Sequence, residues 1–396
     1  MKSKAKLTPM AISMKSINSL AITAIFTLFI PNGLANPMNT PNSQAPQPIT
    51  VMPTTIIPSN DPPDWRDFRT LSAHPNGEEI FFVECQKNLA ENCRVLRFDL
   101  KTRALGYYAF PKGYAYLEAY ISPSGKKLAL LRASQQVTTF PENLERREIA
   151  IMNVDGTGFE VLPLALGAKT RPTFNAVDDR LAFWRAKPRT ESGAKTLAAG
   201  YDVWEYDLKT GKEYPFGASY RFFQAGEIYY LPSGDDVLVK GGVPLVDMAR
   251  FGLDTHDYGK RYPNQIFTLK RGQSDWSEPM FANESFKSLM RLTLSRDGAM
   301  VFDAEPPKGS ASIYRQEPNG NFRQWSTKQP WDAFGTAALF YAVLAGNQLI
   351  GIFNNKDAQL EPGLKRFLTL DMQTGEWRTL NIPPLASARI ISVILK

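Results

Sequence analysis

The sequence predicts an all-β protein, a β-propeller of six blades in which each blade is a four-stranded antiparallel sheet. One observation behind this is a recurring unit of about fifty residues, a period in the range typical of repeat architectures. The other is the content of the unit, in which two apolar segments flank a tight Gly or Asp turn and a second turn follows later. Four short strands separated by tight turns are typical of a propeller blade.

The second unit shows the four strands most plainly. They are predicted over residues 116–121, 127–131, 148–153 and 159–162, where aromatic and β-branched residues dominate, as pleated surfaces favour. The first turn of this unit is Ser-Pro-Ser-Gly at 122–125, and the second is Asp-Gly-Thr-Gly at 155–158. The other five units repeat this order with altered turn residues.

Two segments of the second unit carry a family resemblance. Ser-Pro-Ser-Gly-Lys-Lys-Leu-Ala at 122–129, followed by Glu-Ile-Ala-Ile-Met-Asn-Val-Asp-Gly-Thr-Gly at 148–158, resembles the TolB-type WD-like repeat. The resemblance covers roughly residues 66–382, and we expect no counterpart here of the small α/β domain that precedes the propeller in that family. It implies the propeller fold and a periplasmic protein partner at a face of the ring or in its central channel.

A last strand is predicted at residues 389–395, after the sixth unit. We expect it to close the ring by joining the first blade, because closure removes exposed sheet edges. A seventh, incomplete blade is the alternative.

The N-terminal 64 residues are predicted to precede the propeller domain, which occupies residues 65–396. Residues 1–35 read as an export signal, with four Lys, an uncharged apolar stretch at 20–30 and small residues at 33–35. Met14 is an alternative start, and an uncleaved anchor is the alternative to cleavage. Residues 36–64 read as a linker rich in Pro, Asn and Thr. We therefore expect a periplasmic or secreted monomer with no stable membrane insertion after cleavage.

Charge and cysteine content fit this expectation. The formal charge of +7 falls to +3 without the four Lys of the signal, too little for a nucleic-acid-binding protein. Cys85 and Cys93 are the only cysteines, and they flank a short connection between two predicted strands. A disulfide is the expected state in an oxidising compartment, and free thiols or a metal site are the alternatives.

Motifs for catalysis are scarce. The sequence has no Gly-x-Ser-x-Gly, no Gly-x-Gly-x-x-Gly, no phosphate loop and no His-Glu-x-x-His. His74 falls in a tight turn, and His256 lies beside two Asp residues in the longest insertion, in a spacing that matches no recognised metal site. We expect no catalytic residues, no metal and no cofactor, and therefore a protein that is not an enzyme.

The long connections are predicted to share one face of the ring. They fall between the second and third strands of the units, at 134–147, 185–200, 241–263, 305–310 and 354–363. Insertions confined to one face of a repeat protein often mark its binding face, and neutral variation in surface loops is the alternative. The predicted contacts are Arg185, Lys187, Arg189, Arg250, His256, Lys260, Arg261 and Trp331.

The sequence thus favours an exported, non-enzymatic propeller that binds a protein or an envelope polysaccharide through this face. The alternative is a propeller enzyme, such as a lactonase, lyase or hydrolase, with its site at the central channel.

Overall fold

The computed structural model describes residues 66–394, apart from 87–88, 138–141, 187–199, 220, 223, 243–263, 275–279, 282–285, 287, 296–297, 307–311, 318, 327–336 and 356–364. The predicted signal and linker lie outside the described residues. All the described residues belong to one compact unit, Ile56–Lys396.

Six antiparallel sheets follow one another along the chain, and each is one blade. The first three blades are β1 (Arg66–Ala73), β2 (Glu79–Gln86), β3 (Leu89–Asp99) and β4 (Leu105–Ala109); β5 (Tyr114–Ile121), β6 (Lys127–Ser134), β7 (Glu148–Asn153) and β8 (Glu160–Val161); and β9 (Ala168–Phe174), β10 (Arg180–Ala186), β11 (Tyr201–Asp207) and β12 (Lys212–Pro215). A four-residue helix, α1 (Glu142–Glu145), lies between β6 and β7.

The last three blades are β13 (Ala225–Tyr230), β14 (Asp236–Gly241) and β15 (Gln265–Lys270); β16 (Ser288–Leu294), β17 (Met300–Glu305), β18 (Ser312–Gln316) and β19 (Phe322–Ser326); and β20 (Ala337–Ala345), β21 (Gln348–Asn355), β22 (Lys365–Asp371) and β23 (Trp377–Leu380). Three strands of blade 4 are described. The backbone N–H of Met280 donates to Ile266 O at 2.8 Å, on the side of β15 where a fourth strand belongs. The fold is therefore a six-bladed propeller, as predicted, and not a seven-bladed one.

The first strand of each blade lies innermost. The inner strands β1, β5, β9, β13, β16 and β20 contact one another in this order, and β20 contacts β1, so the ring is closed. Aromatic packing joins the last blade to the first, since the rings of Phe68 and Phe367 are 4.7 Å apart between centroids. Apolar side chains between neighbouring blades form the core, as burial of both sheet faces requires.

A last strand, β24 (Arg389–Val393), joins blade 1 as predicted. It pairs in parallel with β4, so blade 1 keeps its own four strands and gains a fifth on its outer edge. On the way from β23, the chain accepts a hydrogen bond from Arg103 Nη2 at Asn381 O, 2.5 Å away. Ile394 then packs among buried residues of blades 1 and 2. The C-terminal segment thus runs from blade 6 across the edge of blade 1 towards blade 2.

The predicted disulfide is present in blade 1. Cys85 and Cys93 stand directly opposite each other on β2 and β3, and their Sγ atoms are bonded. Both cysteines are buried against residues of blade 2.

Candidate functional site

The two ends of the ring are defined by the order of strands in the blades. Strand one runs towards the turn that joins it to strand two, so this turn and the turn between strands three and four share one end, here called the turn end. The connections between strands two and three lie at the other end, here called the loop end, as the sequence predicted.

Every inner strand carries a register shift against its neighbour, in the middle of the strand. A β-bulge of this kind bends the strand and redirects a side chain. The residues at or directly after the six bulges are Thr70, Glu118, Arg171, Glu227, Arg291 and Tyr341. In blades 2 to 5 these residues therefore alternate between Glu and Arg around the centre of the ring.

Arg171 reaches across the centre. Its Cζ lies 5.4 Å from the ring centroid of Tyr341, although blades 3 and 6 stand opposite each other. Its Nη1 donates to Tyr120 Oη at 2.9 Å, and its backbone N–H donates to Glu118 Oε2 at 2.7 Å. Glu227 Oε1 lies 3.9 Å from Nη2 on the other side. Arg171 thus links side chains of blades 2, 4 and 6 across the middle of the ring.

A second part of this cluster lies between blades 4 and 5. Lys240 Nζ is 3.5 Å from Glu227 Oε2 and donates to Met290 O at 2.9 Å. Burial alone would raise the pKa of Glu227, but the nearby cations, Lys240 first, hold that pKa below its ordinary value. Asp303 differs, because burial outweighs the attraction of Arg291 and Lys240 and raises its pKa to about 6. We call these groups the central charge cluster, which consists of Glu118, Arg171, Glu227, Lys240, Arg291 and Asp303.

Neighbouring turns bond to one another at the turn end. The ring of His74 lies with Nε2 3.2 Å from Gly125 O, which links the first turns of blades 1 and 2. Ser122 Oγ donates to Asp178 Oδ2 at 2.9 Å, which links the corresponding turns of blades 2 and 3. His74 is therefore a bonded turn residue, as the sequence favoured.

Arg185 is the one predicted contact residue that falls in the described part of the chain. It lies at the loop end of β10 and is 8% exposed. Its Nη1 donates to Glu213 Oε1 at 2.7 Å, and its Cζ lies 3.3 Å from the ring centroid of Trp204. Its charge is thus already paired within blade 3. The other predicted contacts lie outside the described residues: Lys187, Arg189, Arg250, His256, Lys260, Arg261 and Trp331.

Arg147 is a cation of the loop end that sequence reasoning did not select. It directly precedes β7, and its carbonyl accepts a hydrogen bond from Lys169 Nζ of β9 at 3.1 Å. Its Nε is sealed from solvent and has no hydrogen-bond acceptor. Burial lowers the pKa of Arg147, and the attraction of Glu118 only partly offsets this. The only sequence feature that could have pointed to Arg147 is the Arg146-Arg147 pair before a strand, and such a pair is typical of an ordinary solvated loop.

The described residues contain no group of three or more His, Cys, Asp or Glu side chains placed to hold a metal ion. Within the same residues, no helix has the length and apolar character that crossing a bilayer requires.

This architecture defines the chain as a six-bladed β-propeller, the fold expected from its repeats. Among solved structures, oligogalacturonate lyase from Vibrio parahaemolyticus is similar at 12% identity and a TM-score of 0.50, over 81% of this chain and 80% of the lyase. TolB from Acinetobacter baumannii matches at 17% identity and a TM-score of 0.43, over 79% of this chain and 65% of TolB.

An acylaminoacyl peptidase from Pyrococcus horikoshii matches at 14% identity and a TM-score of 0.47, over 80% of this chain and 46% of the peptidase. The chain thus spans about two thirds of TolB and less than half of the peptidase. No protein-family model matches the sequence, and no curated protein matches it. At these identities the likeness is one of fold, and the fold is shared by enzymes and non-enzymes alike.

Proposed function

We propose that this protein is exported and acts as a non-enzymatic binding propeller, which holds a protein or a cell-envelope component at its loop end. The observation that carries the proposal is the placement of the long connections, which leave the blades at the loop end. The first turns at the opposite end are short, and neighbouring ones bond to each other, as His74 does to Gly125.

The internal pairing in the middle of the ring supports a structural role there. Arg171 is engaged by Glu118 and Tyr120 and packs against the ring of Tyr341. A buried ion pair stays in place because separating it would leave a desolvated charge behind. A ligand at this level would have to break these bonds, whereas a ligand at the loop end would not.

The position of the long connections also supports the loop end as the binding face. The rigid ring holds the points where these connections leave and re-enter the blades, so less ordering entropy is lost when a partner binds. Export is supported by the disulfide between Cys85 and Cys93, since such bonds persist in oxidising compartments.

A propeller enzyme is the second candidate, and one observation favours it. Asp303 has a raised pKa and belongs, with Glu227, to the central charge cluster. Carboxylates with shifted pKa values collect at active sites, although structural ion-pair networks shift them as well. Native mass spectrometry of the purified protein separates the candidates, because an enzyme of this kind would retain a metal or substrate analogue that an Asp303→Asn variant loses.

The test of the binding proposal compares the two ends of the ring. One variant replaces residues 243–263 with a short Gly-Ser turn, and the other carries His74→Ala with Asn76→Ala at the turn end. Both are used beside the wild type to capture partners from envelope extracts, with quantification by mass spectrometry. We expect the trimmed variant to stay folded and lose its partner, and the turn-end variant to keep it. Equal capture by all three proteins, or loss only in the turn-end variant, would refute the proposal.

A further inference from the structure

Lys169 is a buried cation that pairs with no carboxylate in the described part of the chain. It lies near the start of β9, at the loop end of blade 3, and is 3% exposed. Its Nζ donates to Arg147 O at 3.1 Å and to Gly167 O at 3.3 Å, and both acceptors are neutral backbone carbonyls. Lys side chains are rarely buried this fully without a charged partner, so the state of this amine needs an explanation.

The charged groups around Lys169 are arranged unfavourably for an ammonium ion. Arg185 stands directly opposite Lys169 on β10, and like charges in such a pair destabilise each other. Glu213 of β12 is bonded to Arg185 at 2.7 Å, and Glu148 of β7 is bonded to Arg132 at 2.8 Å. Burial, and next the charge of Arg185, lower the pKa of Lys169 to about 8, and the attraction of Glu213 and Glu148 offsets only part of this.

An amine in these surroundings loses its proton easily and becomes a nucleophile. At pH 7.5 about a quarter of Lys169 is neutral, against about one in a thousand of an ordinary Lys. Because the side chain is almost sealed from solvent, a reagent that reaches it must be small and uncharged. Carbon dioxide meets both conditions, and its product with an amine is an anion, which is the charge that this position lacks.

We propose that Lys169 is a carbon dioxide-binding site, at which its amine forms a carbamate. The ammonium first loses a proton to water. The nitrogen lone pair then forms a bond to the carbon of CO₂, the electron pair of one C–O π bond moves onto oxygen, and the nitrogen releases a second proton to water. The side chain changes from a cation to an anion, without a leaving group and without an oxidant or reductant.

The surroundings of Lys169 suit this carbamate better than they suit the ammonium. The carbamate nitrogen keeps one N–H, which can still donate to the carbonyl of Arg147 or Gly167. The new anion stands opposite Arg185, so an attraction replaces a repulsion across the strand pair. Arg147, whose carbonyl Lys169 contacts, offers a donor for the new oxygens, because its Nε has no hydrogen-bond acceptor in the described part of the chain.

Lys240 provides an internal comparison. It is also buried, at 7% exposed, and burial lowers its pKa as well. Its Nζ, however, lies 3.5 Å from Glu227 Oε2, so a carbamate at Lys240 would place two anions side by side. Both lysines therefore have a weakened hold on the proton, and the missing carboxylate distinguishes Lys169.

The test adds ¹³C-labelled bicarbonate, which equilibrates with CO₂, to the purified protein at pH 7.5. Carbon NMR detects a carbamate by a resonance separate from those of bicarbonate and dissolved CO₂. Alkylation with a trialkyloxonium salt then traps the carbamate as a stable ester, and mass spectrometry of peptides locates it. Lys169→Arg removes the amine and keeps a cation, and Lys240→Arg is the matched control.

We expect a carbamate resonance that disappears in Lys169→Arg, persists in Lys240→Arg and weakens at least about tenfold at pH 6, where the amine is protonated. A signal from the N-terminal amine would be common to all three proteins. The trapped ester should lie on the peptide that contains Lys169, and this assignment is made on the wild type, so it does not require a folded variant. No trapped ester at Lys169, or a resonance lost equally in both variants, would overturn the inference.

Discussion

Replacing Asp303 by Asn tests whether burial or charge pairing dominates in the central charge cluster. Asp303 lies on β17 and is 7% exposed, with Arg291 and Lys240 close by. Burial has the larger effect on Asp303 in the structure, because its pKa rises from an ordinary 3.8 to about 6. A difference of about two pKa units corresponds to about 3 kcal/mol between the two protonation states.

The direction of the pH effect on stability depends on whether the folded or the unfolded state binds the Asp303 proton more tightly. The folded protein holds the Asp303 proton up to about pH 6, whereas the unfolded chain releases it near 3.8. The stability contributed by this group is therefore fully present below about pH 4 and is lost as the pH rises towards 6. Asn cannot ionise, so Asp303→Asn escapes this loss. Relative to the wild type, the variant should gain about 2.5 kcal/mol between pH 4 and pH 7.5, whatever the fixed cost of the substitution.

Urea unfolding of both proteins at pH 4, 5, 6 and 7.5 measures this change. Asp371→Asn is a control whose stability relative to the wild type should stay nearly constant over this pH range, because Asp371 accepts the backbone N–H groups of Gln373 and Thr374 in an exposed turn. The hydrogen bond from Thr374 lowers the pKa of Asp371 most, and the bond from Gln373 lowers it further. The stability that Asp371 contributes is therefore present above its unfolded pKa and is lost in acid. The free energy of unfolding of Asp303→Asn, relative to the wild type, could instead stay constant or fall as the pH rises. Either result would show that the carboxylate is ionised and paired with Arg291 and Lys240.

Three further predictions concern the disulfide, the C-terminal strand and processing. Replacing Cys85 and Cys93 together by Ala should lower the free energy of unfolding by about 2.5 kcal/mol in urea, through loop entropy, without abolishing folding. Gly156→Ala should make β24 sensitive to limited proteolysis, because the new Cβ would come 2.2 Å from a side-chain atom of that strand. Gly320→Ala, at a similarly positive φ but in open space, should not. Intact mass of the exported protein should place its N-terminus near Asn36, and a mass that retains residues 20–30 would contradict cleavage.

The blades could be predicted from the sequence because the information is local. Each tight turn, such as that at 122–125, lies between strands that are adjacent in the chain, and the repeat shows the same pattern six times. The disulfide was predictable for the same reason, since Cys85 and Cys93 close a hairpin.

The central charge cluster could not be predicted in this way. Glu118, Arg171 and Glu227 are more than fifty residues apart in sequence, and each looks like an ordinary polar residue in a half-exposed strand. Only the closed ring, together with a bulge in every inner strand, brings them together. Arg185 was predicted to contact a partner at the surface, because it is a basic residue next to an insertion. In the ring it is covered by Trp204 and paired with Glu213 instead.

The central charge cluster acts on the whole protein as a unit. The cluster holds Glu227 ionised between Arg171 and Lys240, because these cations keep its pKa low in spite of its burial. Removing one member would therefore leave the others as uncompensated charges in a buried site, which costs more stability than the loss of a pair at the surface.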